Sequence, residues 1–230
     1  MCGRFTHRYS WAELHALMRL WTGAAPIAVE PRYNVAPTQT APVVRVDEAG
    51  HRVAVALRWG LVPFWADDPA IGSRLINARS EEAAGKPSFR AAFKARRCLV
   101  PMSDFYEWQA IPGATRKQPW AFRVRGAPLF AVAGLWERWD GRVAHEPLET
   151  FALLTCAPNA LLAPIHNRMP VIVPPHLHDL WLDPAVTRAE ALAEALRPFP
   201  AEEMEAVRVG TRVNSPANDG PDLLAPLASE

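Results

Sequence analysis

The stretch Pro128-Leu129-Phe130-Ala131-Val132-Ala133-Gly134-Leu135-Trp136 is nearly continuous in hydrophobicity, the pattern of a strand covered on both faces. It predicts a central strand, and the segments around it read as its neighbours. Trp120 to Val124 makes a pair with it, and Phe151 to Cys156 is a further strand. Upstream, Val43 to Val46 and Val53 to Leu57 are β-branched runs separated by Asp47-Glu48-Ala49-Gly50-His51, which signals a hairpin. Arg97 to Pro101 and Phe105 to Trp108 read as strands around an irregular Met102-Ser103-Asp104 step. Val171 to Val173 and Val207 to Val209 complete the set.

Helices are few and short in this reading. Ser10-Trp11-Ala12-Glu13 is a capping-box pattern, followed by Leu14, Leu17, Met18 and Trp21 at helical spacing, so residues 10 to 21 are predicted to form an amphipathic helix. Ser80 is expected to cap a turn led by Glu81 and Glu82, and Ala157 to Leu162 to open a short helix with Pro158 near its first turn. His176 to Trp181 and Arg188 to Leu196 are predicted helical. Pro31 to Thr38 is expected to be a stiff loop, and the tail from Asn214 to be irregular or partly ordered.

At 230 residues the chain is read as one domain, 1–230. Its 50% hydrophobic and 21% charged fractions are those of a folded globular protein, and 23 prolines imply many short elements joined by turns, which favours a β-rich fold. Lys+Arg 25 against Asp+Glu 24 gives a net charge of +1, so any basic surface for nucleic acid must be local. The three cysteines, Cys2, Cys98 and Cys156, are far apart, which suits a reducing cytosol, and no pair among them or His166 has metal-ligand spacing. No metal or cofactor is expected. No apolar run reaches the ~18 residues of a membrane span, so the expectation is a cytoplasmic protein with no membrane partner.

Four residues carry the candidate chemistry. Removal of Met1, expected because the next side chain is small, would leave Cys2 with an α-amine and a thiol on adjacent carbons. Asn34 sits between two prolines, where it is either a rigidly held functional group or a turn former. Glu107 stands among Phe105, Tyr106 and Trp108; it either alternates outward to water or is buried, and burial would raise its pKa into the range of a general acid or base. His166 lies on a loop or helix end beside Arg168, as a surface residue or a catalyst. The segment Arg58 to Trp65 is rich in aromatic residues, to be packed as core lining or presented for stacking.

Met1-Cys2-Gly3-Arg4-Phe5, Arg32-Tyr33-Asn34-Val35-Ala36-Pro37, Trp59-Gly60 with Pro63 and Trp65, Asn77-Ala78-Arg79-Ser80-Glu81, Phe105-Tyr106-Glu107-Trp108 and His166-Asn167-Arg168-Met169-Pro170 occur in this order. Together they resemble the SRAP family, the SOS-response-associated peptidase-like proteins that act as abasic-site processing proteins. The resemblance runs from Cys2 to about Pro175, with a weaker echo in Val213 to Asp222. It implies a single α+β domain on a β-barrel-like core of mostly antiparallel strands with peripheral helices. It also implies a monomer that binds single-stranded DNA and links covalently to abasic sites, and that is nucleoid-associated when bound to damaged DNA. Carried over by motif, Cys2 is the nucleophile with Asn34 beside it, and Glu107 and His166 transfer protons. Arg4, Arg79 and Arg168 match positions that hold DNA, and Trp59 and Trp65 match a loop near the bound strand. Phe64 departs from the family, which often has a small polar residue there.

Two other classes fit parts of this pattern. An N-terminal cysteine with a Glu and a His suits an N-terminal-nucleophile peptidase or amidohydrolase that processes its own Met1, with the thiolate attacking an amide. A non-enzymatic single-strand binder would use the Arg and Trp residues and leave Cys2 idle.

Overall fold

The computed structural model describes residues 2–141 and 146–227. In chain order the strands are β1 (Phe5–His7), β2 (Arg32–Val35), β3 (Thr40–Val46), β4 (Arg52–Trp59), β5 (Asn77–Arg79), β6 (Arg97–Met102), β7 (Asp104–Gln109), β8 (Gln118–Val124), β9 (Phe130–Trp139), β10 (Leu148–Cys156), β11 (Met169–Pro170), β12 (Ile172–Val173) and β13 (Met204–Arg208). The α-helices are α1 (Trp11–Leu17), α2 (Ser80–Ala83), α3 (Arg90–Ala95) and α4 (His178–Leu182). The fold is α+β.

The stretch around Phe130 to Trp136 is the hub. β9 pairs antiparallel with β6, β10 and β12, and because the path β10-β4-β3-β6-β9 returns to β10, these five strands close into a barrel. Closure explains the unbroken hydrophobicity of β9, whose first six residues are all buried, since neither face nor edge meets water. Gly134 sits where the strands crowd: a Cβ there would lie 2.9 Å from the Cys98 Sγ. A second, all-antiparallel sheet runs β13-β8-β7-β1-β2, and the Ser103 step passes the chain from β6 in the barrel to β7 in this sheet.

Several local expectations are corrected. Residues 32–35 are a strand rather than a loop, because Pro31 and Pro37 fall outside it and leave its N–H groups free to pair with β1. Helix α1 has its capping box but stops at Leu17, since Arg19 takes φ 50° and the Trp21 N–H is captured by the Arg52 carbonyl at the start of β4. Ser80 is the first residue of α2, with Arg79 at the cap position, because β5 runs directly into the helix. Residues 157–165 form turns rather than a helix: the Asn159 side chain accepts from the Leu161 and Leu162 N–H groups, and Pro164 has no N–H to continue. Of Arg188 to Leu196 only Ala189–Leu192 is helical, as a 3-10 turn. The tail from Asn214 is docked, with Val213 and Leu223 buried and Pro221–Leu224 forming a 3-10 turn.

Candidate active site

The chain's beginning is fastened to the core before it reaches the site. Phe5 is fully buried with its ring 5.2 Å from Trp59, which stacks on Phe151 at 6.2 Å and donates its Nε1–H to the Ile76 carbonyl at 2.9 Å. Burying Phe5 alone is worth about 2 kcal/mol, enough to hold β1 in register between β2 and β7. The peptide leaving Trp59 needs the left-handed region, with Gly60 at φ 122°, and a Cβ there would strike the Gly72 carbonyl at 2.6 Å. Trp59, expected to lie near a bound strand, is therefore an interior residue that clamps Phe5 on one side and the segment before Asn77 on the other. Its complete burial leaves no face for a base.

Cys2 lies three residues before Phe5 and is fully buried. Its carbonyl accepts a 2.7 Å hydrogen bond from Asn77 Nδ2, on the short strand β5 that lies parallel to β10. Its thiol lies 3.9 Å from the Arg4 carbonyl, and burial, followed by the negative charge of Glu107, pushes the thiol well above its ordinary range. Glu107 comes from β7 and is 2% exposed, so of the two orientations open in the sequence the inward one is adopted. Burial raises its carboxyl above the usual range, with the opposing pull of His166 too weak to cancel it. His166 faces it across 3.9 Å through Nε2. His166 Nδ1 lies 3.0 Å from the Arg168 backbone N–H and 3.1 Å from the Arg168 carbonyl, which fixes the ring so that Nε2 is the nitrogen turned toward Glu107. Cys2, Asn77, Glu107 and His166, from four separate segments, thus form one cluster.

Asn34 does not join that cluster as a reacting group. It is fully buried, its Oδ1 accepts from Arg4 Nη1 at 2.9 Å, and its Nδ2 donates to the carbonyls of Val213, Ser215 and Asn218 at 3.2, 2.9 and 2.8 Å. It is a clasp that binds the docked tail to the sheet beside Arg4. Arg4 is itself committed to the tail, donating to the Val213 and Asn214 carbonyls at 2.7 and 3.2 Å. Arg79 is exposed and pairs with Glu82 at 3.2 Å, whereas Arg168 makes a two-pronged pair with Glu81 at 2.8 and 2.7 Å. Phe64 and Trp65 project from the segment after β4, 56% and 40% exposed.

Asn77 is the functional residue that reading the sequence missed. It lay inside the Asn77-Ala78-Arg79-Ser80-Glu81 motif, but a lone Asn before a helical turn carries no charge or periodicity that marks it. Cys98 and Cys156 are buried and unpaired within the core, away from this cluster's hydrogen bonds. Among the described residues no group of three His, Cys, Asp or Glu could hold a metal, and no helix is long and apolar enough to cross a membrane.

The model of the family described as SOS response associated peptidase (SRAP) matches residues 1–216. The chain belongs to the SRAP family. Among SRAP relatives it is 39% identical over 224 residues to the abasic site processing protein YoqW of Bacillus subtilis, covering 97% of this chain and 99% of that protein. It is 32% identical over 227 residues to the abasic site processing protein HMCES of Gallus gallus, covering 86% of this chain and 66% of the relative. A crystal structure of a Bacteroides thetaiotaomicron protein superposes with a TM-score of 0.87 at 26% identity, over 99% of this chain and 100% of the other. A Bordetella bronchiseptica protein gives a TM-score of 0.76 at 25% identity, over 91% of this chain and 100% of that one.

Proposed function

We propose that this SRAP protein processes abasic sites in single-stranded DNA by linking to them covalently through Cys2 once Met1 has been removed. The observation that carries the reading is the cluster itself: the one residue that can present an amine and a thiol together is buried beside a carboxyl whose pKa burial raises, with His166 Nε2 3.9 Å from that carboxyl.

An abasic sugar exposes an aldehyde after its ring opens, and ring opening moves a proton from the C1 hydroxyl toward the ring oxygen. Glu107 and His166 are placed to carry it. The α-amine, with a reference pKa near 8, is about a tenth free base at pH 7 and attacks the aldehyde carbon, giving a carbinolamine. The Glu107 carboxyl, whose pKa burial raises, gives a proton to the departing hydroxyl, and water leaves as the protonated imine forms. The thiol then adds to the imine carbon. Its proton returns to the Glu107 carboxylate, the C=N electron pair moves onto nitrogen, and a five-membered thiazolidine closes with high effective molarity. Asn77 fixes the Cys2 carbonyl during these steps. Arg79, Arg168 and Trp65 are the phosphate and stacking contacts of this reading, and the protein works as a monomer inside the cell.

The rival reading, thiolate attack on an amide, is disfavoured by the same site. A nucleophilic thiolate needs a lowered pKa, whereas burial and Glu107 both push the Cys2 thiol up. The test is to incubate the processed protein and its Cys2→Ala and Cys2→Ser variants with an abasic oligonucleotide and run heated denaturing gels. A stable adduct from the native protein only is expected, with at most a hydrolysable one from Cys2→Ser. An undiminished heat-stable adduct from either variant overturns the mechanism.

A further inference from the structure

The arginines of this chain are mostly spent on carboxylates, as in Arg45–Glu149, Arg96–Glu137 and Arg168–Glu81. One place breaks the pattern. Arg4, Arg116 and Lys117 converge with Trp108 and Asn214 on an open notch of about 410 Å³, lined by three cations and no carboxylate. Among the described residues none of the three has an acidic partner: Arg4 spends its donors on Asn34 and tail carbonyls, which leaves its charge uncancelled. Arg116 and Lys117 are exposed on the hairpin joining β7 to β8. The Trp108 indole is fixed on the rim by a 2.8 Å bond from Nε1 to Asn214 Oδ1.

The notch is built onto the site without being part of it. Alternation along β7 turns Trp108 to the face opposite Glu107. Arg4 joins the two, following Cys2 by two residues while its guanidinium lines the notch. In a protein with a net charge of +1, three unneutralised cations beside an aromatic ring are a local binding field, and a backbone of evenly spaced phosphates with π-faced bases matches both elements.

We infer that this notch is a strand-holding subsite, in which Arg116 and Lys117 take phosphates of single-stranded DNA flanking the reacting nucleotide on one side and Trp108 packs against its sugar or base. The inference rests on the proposed abasic-site reaction, but it concerns binding of the flank and leaves the chemistry at Cys2 untouched.

The test uses the full chain and the double variant Arg116→Ala/Lys117→Ala, with thermal melting to establish that both are folded. Fluorescence anisotropy measures binding to single-stranded oligonucleotides carrying an unreactive tetrahydrofuran abasic analogue, in salt series, with the flank on either side shortened in turn. Removing two phosphate contacts lowers the slope of log affinity against log salt by about 1.4, which is about 25-fold in affinity at 0.1 M salt. That deficit is expected to vanish when one particular flank is removed and to persist when the other is. Crosslinking at saturating reactive oligonucleotide is expected to be unchanged. An unaltered salt slope, or a deficit indifferent to which flank is shortened, overturns the subsite, as does a variant that keeps its DNA affinity but loses affinity for a polyglutamate peptide. Failure of the native protein to crosslink at all refutes the proposed function instead, and so separates the two claims.

Discussion

Replacing Asn77 by alanine tests whether the geometry around Cys2, rather than its presence alone, sets the rate. The bond at stake is Asn77 Nδ2 to the Cys2 carbonyl at 2.7 Å, among the described residues the one side-chain tether on the residue that is to react. Losing a single hydrogen bond of this kind costs about 1 kcal/mol of stability. Part of that is returned, because Asn77 Oδ1 is buried without a hydrogen-bond partner and its desolvation cost disappears with it. For a chain of 230 residues the melting temperature should fall by no more than about 4 °C. The chemical consequence is larger, since a loosened nucleophile misplaced by about 1 Å loses on the order of 100-fold in rate, or about 2.7 kcal/mol in barrier. Single-turnover crosslinking at saturating abasic oligonucleotide measures the rate, and anisotropy with the tetrahydrofuran analogue measures binding. A rate within threefold of the native protein, as a rough bound on noise in ΔG, or a loss of affinity matching the loss of rate, would refute the positioning role.

Three further outcomes follow from the same coordinates. Burial holds the Glu107 carboxyl up, so its contribution to stability is complete below the ordinary value of 4.5 and lost as pH rises through its folded value. Glu107→Gln should therefore gain stability relative to the native protein as pH rises above 4.5 in urea titrations, while crosslinking slows by about 100-fold or more; a variant that is less stable at every pH contradicts it. His178 is buried with Nε2 against the Val173 carbonyl at 3.0 Å, and burial lowers its pKa from 6.5 to about 4. Its share of stability is present above pH 6.5 and about 3 kcal/mol of it is lost by pH 4, so His178→Gln should show a correspondingly shallower acid loss; equal slopes would refute this. Asn34→Ala should cost about 3 kcal/mol by stranding tail carbonyls and the Arg4 guanidinium. It should also raise amide exchange through residues 211–224, and unchanged protection there would show that Asn34 is not the clasp.

What could be read in advance was whatever depends on local pattern. The hydrophobic run of Phe130 to Trp136 announced a central strand because closure of the barrel leaves it no wet face. The hairpin around Asp47 to His51 and the Ser10 capping box were legible for the same reason, since each is settled by residues a few positions apart. What stayed open or unseen lies where distant parts decide. Asn34 was open between a rigidly held functional group and a turn former, and its partners lie about 180 residues later in the tail. Its aromatic neighbours left Trp59 open between core lining and a stacking surface, the resemblance set it near a bound strand, and the positions of Phe5 and Phe151 show it as interior. Asn77 went unmarked because its single function, holding the Cys2 carbonyl, exists only once β5 lies alongside β10. Cys2, Glu107 and His166 were singled out as candidates from the residues and given their roles by the resemblance, and the fold brings Glu107 into reach of both.

The central claim is that a free N-terminal Cys2 joins the abasic sugar through both of its nucleophiles. Intact-mass measurement after mixing the expressed protein with a single-stranded abasic oligonucleotide tests it most directly. The account predicts a protein lacking Met1 and one adduct, equal in mass to protein plus oligonucleotide minus one water and mapping to Cys2. An adduct on chains that retain Met1, or one that maps to a lysine, would contradict it.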